Sequence, residues 1–263
     1  MPTYLTTALH WAVDEDIIEK NPAVGVPAPA PRTERDRVLD DDEIRLFWQA
    51  CDRISWPFGP LFQLLLLLGP RRDELAHAIW REFKFDEGTG TGIWSLPSGR
   101  SKNGQAHITH LAPFAVEIID KLPEVANPQN YVFCHARGNG GPVIGFGHAA
   151  QRVRKKMQEL AAEEGRTEIE HFTLHDLRRS CASGMAAIGI APHIIDKILN
   201  HSTGQIRGVA ATYKRYSYLE ERKEALEKWA QYVKSLVAPP PIEKALAAEK
   251  ARAISSNVVK LRR

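Results

Sequence analysis

The chain lacks the sequence patterns that bind nucleotides, catalytic metal ions or membranes. It has no glycine-rich phosphate-binding loop, no GxGxxG fingerprint and no cluster of carboxylates suited to Mg²⁺. Nucleotide hydrolysis and two-metal nuclease chemistry are therefore not expected. The longest apolar stretch, Leu64–Leu68 with its neighbours, is far too short to cross a bilayer. Neither a basic segment nor a long apolar segment follows Met1, so no signal peptide is predicted.

Cysteine is scarce, and its three residues are scattered at Cys51, Cys134 and Cys181. They have no CxxC spacing, and their number is odd. This pattern predicts buried or reduced thiols in a cytoplasmic protein and argues against a disulfide framework.

An excess of charge of one sign is also missing. The formal net charge is +3, and the segment after Pro241 carries six Lys or Arg against two Glu, so the rest is close to neutral. A polyanionic partner would therefore be bound through local patches. One weak candidate patch for DNA binding consists of Arg152, Arg154, Lys155 and Lys156. The alternative interpretation is a solvated helix face.

The chain divides by composition into four segments. Residues 1–20 resemble one amphipathic helix, and residues 21–38 form a proline-rich linker. Residues 39–238 hold most of the apolar sequence and form the main domain, followed by a tail over 239–263. A single helix cannot bury its own apolar face, so 1–20 is interpreted as the last helix of a truncated domain. Alternatively, it folds back on the main domain.

The main domain is predicted to be mostly α with a small antiparallel β-sheet. Asp40 followed by Glu43 is typical of an N-terminal helix cap. Short apolar runs between residues 82 and 111, separated by glycine-rich stretches, predict the sheet. A short strand is expected around Tyr131–Cys134. Later helices are predicted over 147–164, 175–188, 192–199, 207–214 and 218–236, the last with an apolar stripe that includes Leu219.

Two candidate site residues follow breaks in the predicted helices and strands. Arg71 comes directly after Gly69-Pro70, and Glu74, one turn further on, is placed to orient it. Lys102 precedes Asn103-Gly104, a pair that predicts a type I′ hairpin turn with Lys102 beside its tip. Taken alone, the first pair is also typical of a surface ion pair, and the lysine of an exposed turn.

Further candidates lie in the C-terminal half. His175 and Arg178 are three residues apart at the start of a predicted helix and hence on one face. Because arginine does not ligate metals, this pair does not indicate a zinc site. His201 ends an apolar helix, where the helix dipole favours its charged form, although a capping role explains it equally well. Tyrosines of the segment TYKRYSY are candidate nucleophiles.

Taken together, GPRRDE, SKNG, HDLRRS, LNHSTG and YKRY resemble, in this order, the catalytic domain of tyrosine recombinases of the phage integrase family. The resemblance covers roughly residues 40 to 236 and implies the DNA breaking-rejoining catalytic fold. It also implies that a helical core-binding domain precedes the catalytic domain, so residues 1–20 are expected to be its last helix.

The resemblance assigns a role to each motif. Two arginines and a histidine contact the scissile phosphate, a second histidine assists, a lysine protonates the leaving group, an acidic residue supports the first arginine, and a tyrosine is the nucleophile. In this sequence these are Arg71, Arg178, His201, His175, Lys102, Glu74 and Tyr213, with Tyr216 as the second choice for the nucleophile.

The implied function is site-specific recombination of double-stranded DNA at attachment sites through a covalent 3′-phosphotyrosine. No metal, cofactor or ATP is required, since the phosphotyrosine conserves the energy of the broken bond. Self-association into a synaptic tetramer on DNA is expected, without a membrane partner. Two alternatives stay open: a DNA-binding remnant of a prophage integrase without catalytic activity, and a type IB topoisomerase-like activity.

Overall fold

The computed structural model describes residues 2–26, 36–135, 140–166, 168–201 and 218–238. The chain separates into two compact units, Met1–Asp36 and Arg37–Arg263. The predicted helix over 207–214 and the predicted tail over 239–263 lie outside the described residues.

The first unit contains helix α1, Pro2–Asp14. The helix ends earlier than the sequence predicted, because Asp16 adopts a left-handed backbone conformation with φ of 55°, which an L-residue does not adopt inside a right-handed helix. Beyond it the chain folds back, and the side-chain amide of Asn21 donates to the carbonyl of Thr6 at 3.3 Å.

The second unit begins with helices α2, Asp41–Ile54, and α3, Phe58–Leu68. The predicted cap of α2 is confirmed: Glu43 N donates to Asp40 Oδ1 at 2.8 Å, and Asp40 N donates to Glu43 Oε2 at 3.0 Å. The leucine run lies in α3 and is buried all round, as expected for a helix that is apolar on every face. Helix α3 is therefore the centre of the core.

A three-stranded antiparallel sheet follows a short helix, α4, Arg72–Ala76. Its strands are β1, Phe83–Asp86, β2, Thr91–Leu96, and β3, His107–Leu111, in the order β1-β2-β3. Alternate residues of β2 are buried, the period expected of a strand with one face on the core. The sheet is thus confirmed.

The strand predicted around Tyr131–Cys134 is wrong. Tyr131 pairs only with Ile79, and Cys134 only with Pro142, as isolated bridges. A strand needs consecutive ladder pairs with one partner, whereas here Val132 N donates to the carbonyl of Ala78 at 2.9 Å and the carbonyl of Phe133 accepts from Val143 N at 3.0 Å, in two different segments.

Helices make up most of the remaining described structure: α5, Pro113–Ile119, α6, Phe146–Glu163, α7, Leu174–Ala187, α8, Pro192–Ile198, and α9, Leu219–Val237. Helix α9 packs on the core through Trp229, whose Nε1 donates to the carbonyl of Leu66 in α3 at 3.2 Å. Its ring lies so close to Gly184 of α7 that a Cβ there would come within 2.4 Å. Helices α3, α7 and α9 are therefore in direct contact.

The apolar stripe predicted for α9 is confirmed at Leu226, Trp229 and Val233, which are buried. It is wrong at Leu219, which is 47% exposed, because this residue opens the helix before the helix reaches the core.

The fold class is as predicted, mostly α with one small antiparallel sheet. All three cysteines are free and buried, in agreement with their sparse pattern. Among the described residues, none of the helices has the length and apolar character needed to span a membrane.

Candidate active site

Gly69 brings three parts of the core together beside the candidate site. It ends α3 with φ of 63°, a left-handed conformation that glycine adopts without steric cost. A Cβ at this position would lie 2.7 Å from Leu199 Cδ2 and 3.1 Å from Cys181 Sγ. The absence of a side chain therefore lets the end of α3 approach α7 and α8, and Arg71 follows two residues later.

Arg71 is held at the start of α4 by the buried carboxylate of Glu74. Glu74 Oε2 accepts from Arg71 N at 3.1 Å, and Glu74 Oε1 accepts from Arg71 Nη1 at 3.2 Å. Arg71 Nη2 also reaches the carbonyl of Asn200 at 3.5 Å. The structure thus places Glu74 against Arg71, as the sequence predicted, and leaves the guanidinium 23% exposed.

Arg178 lies inside α7 and is 5% exposed. Its Nη1 donates to the carbonyl of Gly69, and its Nη2 donates to the carbonyl of Leu199. Burial, reinforced by the positive charge of Arg71, lowers the pKa of Arg178 to about 10. The group is therefore still charged at pH 7, in a site where another cation opposes its charge.

The start of α7 fixes the position of His175. The carboxylate of Asp176, 1% exposed, accepts from Thr173 N at 2.8 Å and from Thr173 Oγ1 at 2.9 Å, the arrangement of an N-terminal cap. His175 is exposed on the same side of α7 as Arg178. Partial burial, with the charges of Arg179 and Arg178, lowers the pKa of His175, so its imidazole is neutral at pH 7.

Lys102 occupies the turn between β2 and β3, but the predicted turn type is wrong. The hydrogen bond that closes the turn runs from Gly104 N to the carbonyl of Ser101 at 3.0 Å, so Lys102 and Asn103 are the two central residues. Of the four residues only Gly104 has a positive φ, of 71°, whereas a type I′ turn needs positive φ at both central positions. Lys102 is thus at the tip and exposed.

The stem of this turn is fixed by Arg100, which sequence reasoning missed. Arg100 Nε donates to Glu82 Oε1 at 3.0 Å, Nη2 donates to Glu82 Oε2, and Nη1 donates to the carbonyl of Glu74 at 3.0 Å. Trp94 Nε1 also donates to Glu82 Oε2, at 3.0 Å. The position of Arg100, two residues before Lys102, was the available signal. An arginine in a loop is common, however, and nothing in the sequence pairs Arg100 with Glu82.

Asn200, also missed, caps α8 and contacts the Lys102 turn. It has φ of 52°, and the amides of Asn200 and His201 donate to the carbonyls of Lys197 and Asp196 at 3.3 and 3.0 Å, which is a Schellman motif. Asn103 Nδ2 donates to Asn200 O at 3.1 Å and to Asn200 Oδ1 at 2.9 Å. The turn is therefore attached to the end of α8.

His201 follows this cap, and its side chain points to Asp196. The distance between His201 Nδ1 and Asp196 Oδ1 is 3.1 Å, and the imidazole is 43% exposed. The structure brings the backbone of this segment to Arg71 through Asn200, but it does not bring the His201 ring into contact with the other candidate groups.

Four of the predicted catalytic residues, with Arg154 of the predicted basic patch, line one groove of about 570 Å³. The arginine, lysine and histidine side chains of the lining are Arg71, Arg72, Lys102, Arg154, His171, His175 and Arg178, and its acidic side chain is Asp73. Arg72, also missed, lies with its guanidinium carbon 4.8 Å from the ring centre of Phe146. Residues far apart in sequence thus form one cationic concave surface.

The predicted basic patch on α6 does not form one surface. Arg154 lines the groove, donates to the carbonyl of Phe172 at 3.0 Å and lies 6.0 Å from the centre of its ring. Arg152 and Lys155 are exposed, and Lys156 pairs with Glu159 at 2.6 Å. On a helix of 3.6 residues per turn, position 154 lies about 200° around the axis from positions 152 and 156 and about 100° from position 155, which explains the separation.

The candidate nucleophiles Tyr213 and Tyr216 lie outside the described residues. The third tyrosine of the segment, Tyr218, is described at the N-terminal end of α9, with its ring centre 5.2 Å from that of His193.

The described residues contain no group of three or more His, Cys, Asp or Glu side chains suited to a metal ion. His110 binds Glu227 at 3.0 Å. His107 Nε2 lies 3.0 Å from the carbonyl of Ile198, and burial, with the charge of Arg222, lowers the pKa of His107 to about 4. These two histidines therefore link β3 to the helices beside it.

Comparison with known proteins identifies the family of the larger unit. Residues 37–218 match the phage integrase family. The prophage integrase IntF of Escherichia coli (strain K12) is 22% identical over 206 residues, which are 76% of this chain and 40% of that protein. The tyrosine recombinase XerC of Xylella fastidiosa (strain M23) is 27% identical over 205 residues, covering 76% of this chain and 59% of that protein.

Solved structures show the same fold. A lambda integrase dimer bound to a COC′ core site matches with a TM-score of 0.53 and 19% identity, over 79% of this chain and 72% of that one. The XerH site-specific recombinase bound to difH substrate matches with a TM-score of 0.52 and 14% identity, over 74% and 56%. The chain spans about two fifths of the two E. coli prophage integrases that it matches. Its larger unit has the tyrosine recombinase catalytic fold, and the chain belongs to the phage integrase family.

Proposed function

We propose that this chain is the catalytic part of a site-specific DNA recombinase, which cuts and rejoins DNA through a covalent 3′-phosphotyrosine. The observation that supports this most directly is the pairing of Arg71 and Arg178 at one groove. Burial, with the charge of Arg71 beside it, lowers the pKa of Arg178 to about 10, so Arg178 is still charged at pH 7 in a groove where Arg71 opposes its charge. A bound phosphodiester would relieve this repulsion and accept hydrogen bonds from both groups.

The proposed catalytic steps combine groups that line the groove with Tyr213, which lies outside the described residues. The oxygen of Tyr213 would attack phosphorus and pass its proton to His175, whose neutral imidazole is able to accept it. Negative charge that develops on the phosphoryl oxygens would be stabilised by Arg71 and Arg178, whose positions are fixed before the reaction begins. Removal of one such preorganised donor typically costs about 3 to 4 kcal/mol of transition-state stabilisation.

The leaving group needs a proton as the bond between phosphorus and the 5′ oxygen breaks. Lys102 lines the same groove and is exposed at the tip of its turn, so its ammonium would supply that proton. We assign His201 to the phosphate as well; binding of DNA would have to draw its ring away from Asp196. Rejoining reverses the steps, with a 5′ hydroxyl of another strand attacking the phosphotyrosine.

The partner in this proposal is double-stranded DNA at attachment sites. Structural neighbours are described as a lambda integrase dimer bound to a core site and a lambda integrase tetramer bound to a Holliday junction. By analogy we propose that this chain also self-associates on DNA, through its tail over 239–263. Within a bacterial cell this chemistry belongs in the cytoplasm, where the chromosome lies.

We also propose domain limits for the whole chain. Residues 39–238 would be the catalytic domain, 21–38 its linker, and 1–20 the end of a core-binding domain that helps to grip DNA. The match of residues 37–218 to the phage integrase family supports the limits of the catalytic domain.

A covalent trapping experiment tests the proposed function. Nicked duplexes that tile the DNA on both sides of the gene are incubated with the chain, and adducts are detected on a denaturing gel. The nick releases a short fragment after cleavage, so rejoining cannot remove the adduct. We expect an adduct with the unmodified chain and none with Tyr213→Phe. Tyr216→Phe is the matched control, and we expect it to form the adduct.

The outcomes separate the alternatives. An adduct that forms only after an N-terminal core-binding domain is added would show a competent site without sufficient grip on DNA. Relaxation of any supercoiled plasmid, without sequence preference, would indicate topoisomerase-like activity. DNA binding with no adduct in either form of the protein would contradict the proposed recombinase chemistry.

A further inference from the structure

The turn that carries Lys102 is attached at its tip to the end of α8, and no sequence motif signals this attachment. Asn103 Nδ2 donates to both oxygen atoms of Asn200, at 3.1 and 2.9 Å. In return Asn200 Nδ2 lies 3.3 Å from Ser101 Oγ and 3.4 Å from Asn103 Oδ1. These contacts join residues that are almost one hundred positions apart in the chain.

The same turn contacts Glu74, the residue that holds Arg71. Lys102 N donates to Glu74 Oε1 at 3.2 Å, the oxygen that also accepts from Arg71 Nη1. Arg71 in turn reaches the carbonyl of Asn200 at 3.5 Å. The backbone of Lys102, the guanidinium of Arg71 and the cap of α8 therefore form one closed hydrogen-bonded ring.

The Lys102 side chain itself takes no part in this ring. It is exposed, and a lysine side chain is a flexible four-carbon chain with large rotamer freedom. Where its ammonium can reach thus depends on where the turn holds its backbone. The side chain of Asn103 binds the tip of the turn to another element, because its Nδ2 donates to Asn200. Its Oδ1 accepts from Ser101 Oγ at 2.7 Å and from Gln105 N at 3.2 Å, within the turn.

We propose that Asn103 and Asn200 are positioning residues for Lys102, and that their hydrogen bonds hold the lysine in reach of the leaving 5′ oxygen. This inference rests on the proposed function, in which Lys102 is the general acid. The bonds also make the position of the acid depend on the cap that presents His201. Loss of the bonds would therefore affect the proton transfer to the leaving group more than the binding of the phosphate.

A substrate whose leaving group needs no proton separates these effects. In a bridging 5′-phosphorothiolate the bond between phosphorus and sulfur breaks, and the sulfur leaves as a thiolate. A thiol has a pKa of about 8.5, far below that of water or of an alcohol. Cleavage of the sulfur substrate therefore does not depend on Lys102, while cleavage of the ordinary oxygen substrate does.

Asn103→Asp removes the two bonds that Asn103 donates to Asn200 and keeps the turn. The aspartate retains an oxygen that accepts from Ser101 and from Gln105 N, but it has no N–H to donate to Asn200. Gln105→Glu is the matched control, because it makes the same change from amide to carboxylate two residues away, on an exposed side chain. Lys102→Ala is the reference for complete loss of the acid.

The measurement is single-turnover cleavage of the nicked duplex that gives the covalent adduct, with oxygen or with sulfur at the scissile position. With oxygen we expect Asn103→Asp to be slower than the unmodified protein by about 10- to 100-fold, as for a catalytic group misplaced by about 1 Å. With sulfur we expect the rates of Asn103→Asp and of the unmodified protein to agree within about threefold, since the proton-transfer step no longer contributes. Gln105→Glu should be close to the unmodified protein on both.

Two results would overturn the inference. Equal loss on both substrates would mean that Asn103 supports the phosphate pocket or the fold, and unchanged cleavage of the oxygen substrate would mean that the bonds donated by Asn103 do not position Lys102. A failure of the proposed function is distinguishable from both, because then the unmodified protein forms no adduct with either substrate.

Discussion

Two cationic groups that line the groove, Arg178 and Lys102, are held in opposite ways. Arg178 is 5% exposed within a long helix, and its partners are backbone carbonyls of two other core segments. Lys102 is exposed at the tip of a turn, and its backbone is held by side chains. The arginine is therefore positioned by the core, and the lysine by polar contacts that compete with water.

This difference predicts how each part responds to mutation. A group positioned by the core is displaced only when the core itself is damaged, so its loss affects stability and activity together. A group positioned by polar contacts at the surface can be displaced one bond at a time, with little change in the stability of the fold. Three predictions test the comparison, from the largest expected effect to the smallest.

Replacement of Arg178 should have the largest effect. We expect Arg178→Ala to reduce covalent cleavage by about 100- to 1000-fold, since a preorganised donor to the phosphate is lost. Stability should fall by about 1 to 3 kcal/mol, because the buried carbonyls of Gly69 and Leu199 lose their donor. Single-turnover cleavage and urea unfolding measure the two effects. Arg178→Lys keeps the charge but cannot bridge both carbonyls, so a fully active and stable Arg178→Lys would contradict this account.

Arg100 should matter mainly for stability, because it neutralises a buried acid under the turn. Arg100→Met leaves the Glu82 carboxylate, whose side chain is 6% exposed, with Trp94 as its remaining hydrogen-bond donor among the bonds described above. We expect a loss of about 3 kcal/mol, the lower end of the cost of an uncompensated buried charge. The measurement is the free energy of unfolding in urea.

The control for this prediction removes the buried charge as well. In the double variant Arg100→Met with Glu82→Gln, the amide oxygen can still accept from Trp94, and no charge is left uncompensated. More than half of the lost stability should therefore return. A double variant as unstable as Arg100→Met would show that the bond from Arg100 to the carbonyl of Glu74, and not the ion pair, is the important contact.

His107 should make stability depend on pH at the joint between β3 and α8. Its pKa is lowered to about 4 in the fold, against about 6.5 in an unfolded chain. As pH falls below 6.5 the unfolded chain binds the proton first, so stability is lost down to pH 4 and then levels off. The loss at pH 5 should be about 2 kcal/mol relative to pH 7.5.

His107→Gln isolates this contribution from those of the other histidines. Glutamine retains an N–H for the carbonyl of Ile198 but does not titrate. The difference in unfolding free energy between the two proteins should therefore change with pH over this window. Parallel stability curves for the unmodified protein and His107→Gln would show that His107 is not the group responsible.

The elements that the sequence predicted well are those with a local signal. The cap at Asp40 and Glu43, the buried leucine run and the alternating strands each depend on residues a few positions apart. The errors occur where a local signal is ambiguous. Asn-Gly is typical of a type I′ turn, but the bonds from Asn103 to Asn200 stabilise a different turn with only Gly104 at positive φ.

The sequence indicated the residues that line the groove one by one, but it did not indicate the residues that hold them in place. Arg71, Lys102, His175 and Arg178 were recognised by their order and motifs, and they line one groove. Glu82, Arg100, Asn103 and Asn200 are ordinary polar residues when viewed along the chain. Their importance comes from pairing across long stretches of sequence, for which a single sequence gives no signal.

The sequence by itself thus determined the family and the fold class, and it singled out most of the basic side chains that line the groove, because these depend on residue types in a fixed order. Only the tertiary structure decided which arginine is buried, where the basic side chains of α6 point and how the turn of Lys102 is held. The physical reason is that burial, a lowered pKa and a hydrogen bond across the fold are properties of neighbours in space. In this protein those neighbours are brought together by the close approach of α3, α7 and α8 at Gly69.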